Sequence, residues 1–342
     1  MAHRRIQRTL FASFLLLLSL LLPALTACDS TSTGSSTGSA GTTPTARTNV
    51  SIGLGYIPDI QFAPFYVAQS KGYYSASGLN VTFNHGVVND LIGSMVAGRN
   101  TFVFAGGDEE LVARSKNIQA VDVGTIFQRY PVSLIVPANS PIRSLADLKG
   151  HSIGVPGPFG ATYTGLLALL YHAKLSLNDI RLQSIGFTQV AALLSNRVDA
   201  VMGYANNEPL QLEARGFAVR TFNVSDYQPL VSNGIVTLQQ TLQAQPQMVK
   251  SFVQATLKGL RDVFADPTGA VQISKSYIPG LLDTAKALKV LQATIPFWKG
   301  AGAAGYNDPA TWQAMADFLV AQKIIPTAQD LSQAYTNQFI GS

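Results

Sequence analysis

Val50-Ser-Ile-Gly-Leu-Gly-Tyr-Ile-Pro-Asp-Ile-Gln-Phe-Ala-Pro-Phe-Tyr-Val-Ala68 is the stretch on which the fold turns. A short β-rich run, Val50 to Tyr56, stops at Pro58 and passes into a helical pattern from Pro64 to Ala76, and a second β-rich run, Val81 to Phe83, follows at once. Strand, covering helix and next strand make one unit of a parallel or mixed sheet.

The alternation continues outward. The pattern predicts helix Val87 to Ala97 before strand Thr101 to Ala105, helix Leu145 to Leu148 before strand Ser152 to Val155, helix Thr162 to Ala173 before strand Leu182 to Phe187, and helix Gln189 to Ser195 before strand Asp199 to Tyr204. After about Thr241 the strands stop, and Pro246 to Phe264, Thr284 to Ile295, Pro309 to Gln322 and Ala328 to Tyr335 read as helices. Two long β-rich stretches, Val132 to Pro137 and Leu230 to Leu238, flank a middle block and are the expected places for the chain to cross. The expectation is an α/β protein of two lobes with a helical C-terminal region: a discontinuous first lobe, 49–136 and 236–342, and an inserted second lobe, 137–235.

Upstream of Asn49 the composition changes twice. Arg4, Arg5 and Arg8 precede an apolar run from Leu10 to Leu22, too short to span the roughly 20 residues a membrane helix needs, so residues 1–27 read as an export signal. Leu25-Thr26-Ala27-Cys28 then places small residues before a cysteine at the expected cut. It resembles a bacterial lipobox, and the resemblance implies that Cys28 becomes a lipidated N-terminus, with further acyl chains making attachment durable; plain signal cleavage is the alternative. Residues 28–48 are nearly all Ser, Thr, Gly and Ala, a tether spanning on the order of 25 Å. Cys28 is the only cysteine, so no internal disulfide can form.

The 342-residue chain is only 13% charged, with a formal net charge of +5. Without Arg4, Arg5 and Arg8 it carries 21 basic against 19 acidic residues, and no Lys/Arg run follows residue 8, which speaks against nucleic acid as a partner. Three histidines beyond the signal, His85, His151 and His172, have no metal-ligand spacing and no nucleophile placed beside them, so neither a metal site nor a hydrolase triad is expected. Gly300-Ala-Gly-Ala-Ala-Gly305 matches a dinucleotide fingerprint in letters but follows a helix rather than a strand. Gly34-Ser-Ser-Thr-Gly38 resembles a nucleophile elbow inside the tether, where nothing orients a base.

In open α/β sheets ligands sit beyond the carboxyl ends of strands. Four such junctions are candidates. After the first strand, Asp59 supplies an acceptor and Phe62 a flat face, although Phe62 and Phe65 also suit the core of the following helix. Gly106-Gly107-Asp108 permits close backbone approach at Gly107, with Asp108 either at the site or capping a helix. Gly157-Pro-Phe-Gly-Ala-Thr162 combines Phe159, Gly160 and Thr162 with free amides at a helix start. Tyr204-Ala-Asn-Asn-Glu208 brings a phenol, Asn206 and Asn207 next to Glu208, which also fits a first-turn role. Trp298 and Tyr306 flank a glycine-rich loop and are either a stacking surface or packing. A carboxylate beside carboxamides suits an aminopyrimidine or an isoalloxazine and repels a sulfonate.

The opening stretch continues through Lys71-Gly72-Tyr73-Tyr74 to Gly78-Leu79-Asn80-Val81, followed in order by Gly106-Gly107-Asp108, Gln128-Arg129-Tyr130-Pro131, Leu145-Ala-Asp-Leu-Lys-Gly150, Val155-Pro-Gly-Pro-Phe-Gly160 and Val198-Asp-Ala-Val-Met-Gly-Tyr204. From Val50 to Phe339 this resembles a family of ABC-importer substrate-binding proteins that includes receptors for thiamine pyrimidine precursors, riboflavin and sulfonates such as taurine. The resemblance implies a type II periplasmic-binding-protein fold, mixed sheets flanked by helices, and a lipid-anchored monomer outside the cytoplasmic membrane. It also implies a small-molecule ligand delivered to an ABC permease and its ATPase, with no cofactor and no bond chemistry. Relatives of the same family include thiamine-pyrimidine synthases, whose cysteine-rich iron motif has no counterpart here.

Overall fold

The computed structural model describes residues 47–300 and 302–341; Cys28, the export segment and nearly all of the Ser/Thr/Gly tether lie outside the described residues. Two five-stranded sheets organise the described chain. The first holds β1 (Thr48–Gly55), β2 (Leu79–Gly86), β3 (Phe102–Gly106), β4 (Ala120–Thr125) and β10 (Asn233–Leu238), in the order β2-β1-β3-β10-β4. The second holds β5 (Val132–Pro137), β6 (Ser152–Val155), β7 (Arg181–Ser184), β8 (Ala200–Tyr204) and β9 (Val219–Asn223), in the order β7-β6-β8-β5-β9. In each sheet three strands run parallel, β2-β1-β3 and β7-β6-β8, while β10 pairs antiparallel with β3 and β4, and β5 antiparallel with β8 and β9.

The sequence pattern and the structure part in several places. β4 and β9 escape the pattern: β4 is buried along its whole length, and β9 has only Phe222 buried, so neither shows a clear alternation. The helix expected over Pro64 to Ala76 is two helices, Ala63–Ser70 and Tyr73–Ala76, divided at Gly72, whose φ of 72° is left-handed. Leu145–Leu148 is a 3₁₀ turn, and of Ala328 to Tyr335 only Leu331–Gln333 is helical, again 3₁₀. The expected lobe boundaries at 136/137 and 235/236 fall inside strands: β5 belongs wholly to the second sheet and β10 wholly to the first, so the chain crosses in the loops 126–131 and 224–232. β5 and β10 are buried except at Pro137 and Asn233 and have their backbone groups paired in ladders, and the connecting segments are left to span the gap.

Each lobe has its own apolar core. Under the first sheet, helices Ala63–Ser70 and Pro246–Ala265 pack so closely that a side chain at Gly259 would run into the Pro64 carbonyl oxygen, and the rings of Tyr74, Phe252 and Phe102 stack in series at 5.2 and 4.3 Å. Under the second, Leu134, Val155 and Met202 meet Leu166 and Leu169 of helix Gly160–His172. Helix Pro309–Ala321, expected with the first lobe, sends Trp312, Met315 and Phe318 into this second core. It is tied back to the first sheet through Asn307, whose Oδ1 accepts from Thr125 Oγ1 (2.7 Å) and Trp312 Nε1 (2.8 Å) and whose Nδ2 donates to Asp122 Oδ1 (3.1 Å). No helix among the described residues is long and apolar enough to cross a membrane.

Candidate functional site

The carboxyl ends of the parallel strands in both sheets open onto one cleft with an empty volume of about 1030 Å³, mouth included. The first lobe contributes residues following β1 (Tyr56, Asp59, Phe62), following β2 (Val87, Val88) and following β3 (Glu109), with Asn233 from β10. The second contributes the loops after β6 (Phe159 to Thr162), β7 (Phe187, Gln189) and β8 (Tyr204, Asn206 to Glu208).

Local structure fixes each side chain. Asp59 caps a 3₁₀ turn, its Oδ1 accepting from Gln61 N–H at 3.1 Å, and burial raises its carboxyl above the ordinary range. Phe62, buried, lines the cleft while packing edge-on against Phe104 and His85. Glu208 opens helix Glu208–Glu213 and turns back so that Oε2 accepts from Tyr204 N–H at 2.7 Å; burial pushes its carboxyl up to about 7. Burial, helped by nearby Glu109 and Asp108, also raises the Tyr204 phenol. Asn206 is buried, with Nδ2 donating to Thr294 Oγ1 of the first lobe at 2.7 Å, while its Oδ1 has no partner among the described residues. Asn207 accepts from Gln211 through Oδ1. Phe159, 42% exposed, stands at the rim ahead of Gly160 and Thr162.

Three expected residues lie elsewhere. Gly107 faces away from the cleft, where a Cβ would stand 2.7 Å from Met315 and Val231. Asp108 is buried behind the lining, facing Thr164 and Tyr130, and burial raises its carboxyl. Trp298 is core, 1% exposed and packed against Phe127 and Phe264, because the helix Thr284–Trp298 turns this face inward.

Sequence reasoning missed Tyr56, Glu109, Phe187 and Gln189. Tyr56 holds φ at 147°, a conformation normally left to glycine and one that costs on the order of 1–3 kcal/mol at a non-glycine residue. It lays its ring edge-on against Phe187 of the other lobe, 5.5 Å away. Successive helical residues point about 100° apart, so only one of the acids opening helix Gly107–Arg114 faces the cleft, and it is Glu109. Glu109 Oε2 accepts from Gly106 N–H at 2.9 Å, and burial with Asp108 alongside pushes its carboxyl up to about 8.

A family model described as NMT1/THI5 like matches residues 59–270. Riboflavin-binding protein RibY of Chloroflexus aurantiacus is 36% identical over 335 residues, covering 94% of this chain and 95% of its own. The chain belongs to the NMT1/THI5-like family. A second relative, a 4-amino-5-hydroxymethyl-2-methylpyrimidine phosphate synthase of Legionella pneumophila, is 25% identical, with 86% of this chain and 93% of that protein covered. The family fold extends to a solved structure, the alkanesulfonate-binding protein SsuA from Xanthomonas axonopodis pv. citri bound to MOPS, at a TM-score of 0.69 and 19% identity, covering 85% of this chain and 99% of the other. The fold is therefore that of periplasmic binding proteins.

Proposed function

We propose that this chain is the ligand-capturing component of an ABC importer, exported, anchored through lipid on Cys28 and acting as a monomer without bond chemistry. Its ligand is a flat nitrogen heterocycle, riboflavin ahead of a thiamine pyrimidine precursor. The observation that carries this reading is that one cleft between two sheets is lined by rings from both lobes, Tyr56 and Phe62 from the first and Phe159, Phe187 and Tyr204 from the second, with carboxyl and carboxamide groups among them. Ring faces suit stacking on a planar heterocycle, and the carboxyl and carboxamide oxygens suit its N–H and hydroxyl donors. The 36% identity with a protein named for riboflavin favours a three-ring isoalloxazine with its polyol over a single pyrimidine.

Asp59, Phe62, Phe159, Gly160, Thr162, Tyr204, Asn206, Asn207 and Glu208 make the contacts, joined by Tyr56, Glu109 and Phe187. Closure about the loops 126–131 and 224–232 brings the two sets together and presents the closed form to the permease. The test is titration of the purified protein with riboflavin and with hydroxymethylpyrimidine, following melting temperature and small-angle scattering. Stabilisation with compaction supports the reading, since a receptor is stabilised by what it binds. Turnover of either compound, or no stabilisation by any heterocycle, overturns it.

A further inference from the structure

The cleft carries three carboxyl groups, Asp59, Glu109 and Glu208, and among the described residues no Lys, Arg or His side chain lines it. His85 stands behind Phe62 with Nδ1 3.2 Å from the Tyr56 carbonyl oxygen, and burial lowers its pKa, which keeps it neutral. Glu109 is placed unlike the other two acids. One oxygen accepts from Gly106 N–H in its own lobe, while the other reaches across to the second lobe, 3.4 Å from where a Cβ on Gly160 would sit. Gly160 opens the 13-residue helix Gly160–His172, whose N-cap residue Phe159 supplies no side-chain acceptor. The amide end of a helix carries partial positive charge and attracts anions. Here the chain's own carboxyl stands at that end, from the facing lobe.

We infer that Glu109 sets the charge class of the ligand, occupying the place at the Gly160–His172 helix start that a ligand anion would take, so that the cleft admits neutral or cationic donor-bearing molecules and rejects sulfonates and phosphates. The inference rests on the cleft being the ligand site proposed above. Above about pH 8, where the Glu109 carboxyl is ionised, an incoming anion meets like charge with no cation among the described lining residues to offset it; below that the carboxyl is neutral and the discrimination weakens. Asp108, Tyr130 and Tyr204 face Glu109 from the surrounding elements and add no positive charge.

The experiment measures binding of riboflavin, flavin mononucleotide and MOPS to the wild-type protein and to Glu109→Gln, which keeps an acceptor for Gly106 N–H. At pH 9, where Glu109 is ionised, MOPS and the phosphate-bearing flavin should bind the wild type about 100-fold or more weakly than riboflavin. Glu109→Gln should raise MOPS affinity by about tenfold relative to riboflavin at the same pH, a change in ratio that a purely structural Glu109 would not produce. Should Glu109→Gln fold poorly, Glu109→Asp serves instead: it keeps the charge but withdraws it from Gly160, and must also gain MOPS affinity. Wild-type protein that binds MOPS as tightly as riboflavin, or variants in which the anion-to-neutral ratio does not move, would overturn the inference. A protein that takes no heterocycle at all fails the receptor reading instead, and the MOPS arm still reports on Glu109.

Discussion

Replacing Glu208 by glutamine keeps the side chain's shape and one acceptor oxygen but removes its titration. In the folded protein burial lifts this carboxyl from 4.5 to about 7, a gap of roughly 2.5 units that corresponds to about 3 kcal/mol of linkage at 1.36 kcal/mol per unit. Because the folded pKa is the higher one, the native state binds the extra proton. The group's contribution is fully present below about pH 4.5 and is lost as pH rises through 7. Above that range the wild type carries a charge it would rather shed, which glutamine never has. That gap is already net of the bond from Tyr204 N–H, 2.7 Å in the wild type, which favours the charged form. The ligand-free variant should therefore be more stable than wild type by about 3 kcal/mol at pH 8, raising the melting temperature by several degrees, and about equal to it near pH 4.5. Riboflavin affinity should fall by about 1–3 kcal/mol, because the carboxylate no longer accepts from the ligand. Differential scanning calorimetry at both pH values, paired with isothermal titration at pH 8, measures both effects. Glu109 and Asp122, also raised by burial to about 8 and about 7, titrate in the same window but are common to both proteins and cancel in the difference. A variant no more stable than wild type at pH 8 would refute the reasoning.

Gly259→Ala should destabilise the first lobe by about 1–3 kcal/mol, read by chemical denaturation, because its methyl group meets the Pro64 carbonyl and Ala68 where two helices touch; an unchanged midpoint would show that the helices can part. Asn307→Ala strips partners from Asp122, Thr125 and Trp312 in a buried network and should cost about 2–4 kcal/mol, with the near-ultraviolet signal of Trp312 changing as well. Trp298→Leu should lower the melting temperature through lost packing against Phe127 and Phe264 yet leave riboflavin affinity within about twofold; a large loss of affinity would return Trp298 to the cleft. Tyr56→Gly should relieve about 1 kcal/mol of backbone strain in the ligand-free protein while weakening riboflavin binding, so melting temperature and affinity move in opposite directions.

Much of the site could be read in the chain because strand-to-helix junctions are local events. The junctions after β1, β6 and β8 carry glycine, proline and polar residues at fixed offsets, and Asp59, Phe159, Thr162, Asn206 and Glu208 all line the cleft in consequence. The junction after β3 was located, but the residue there was not. Asp108 and Glu109 are neighbours in sequence and differ only by rotation about the helix axis, which depends on how Leu111 packs against the second core. Trp298 stays open between stacking surface and packing in the sequence for the related reason that a tryptophan beside a glycine-rich loop has no preferred side until the helix bearing it is docked.

The amino-acid order alone determined the class of fold, the alternation of strands and helices, the late helical region and the chemistry available at each strand end, since all of these follow from periodicity and residue type within a dozen positions. Only the tertiary structure decided that the chain crosses between lobes in loops rather than strands, that the helix Pro309–Ala321 packs on the second core, and that Tyr56 and Phe187 meet across the cleft. These are contacts between residues far apart in sequence, selected by the summed burial of whole elements, and no local pattern encodes them.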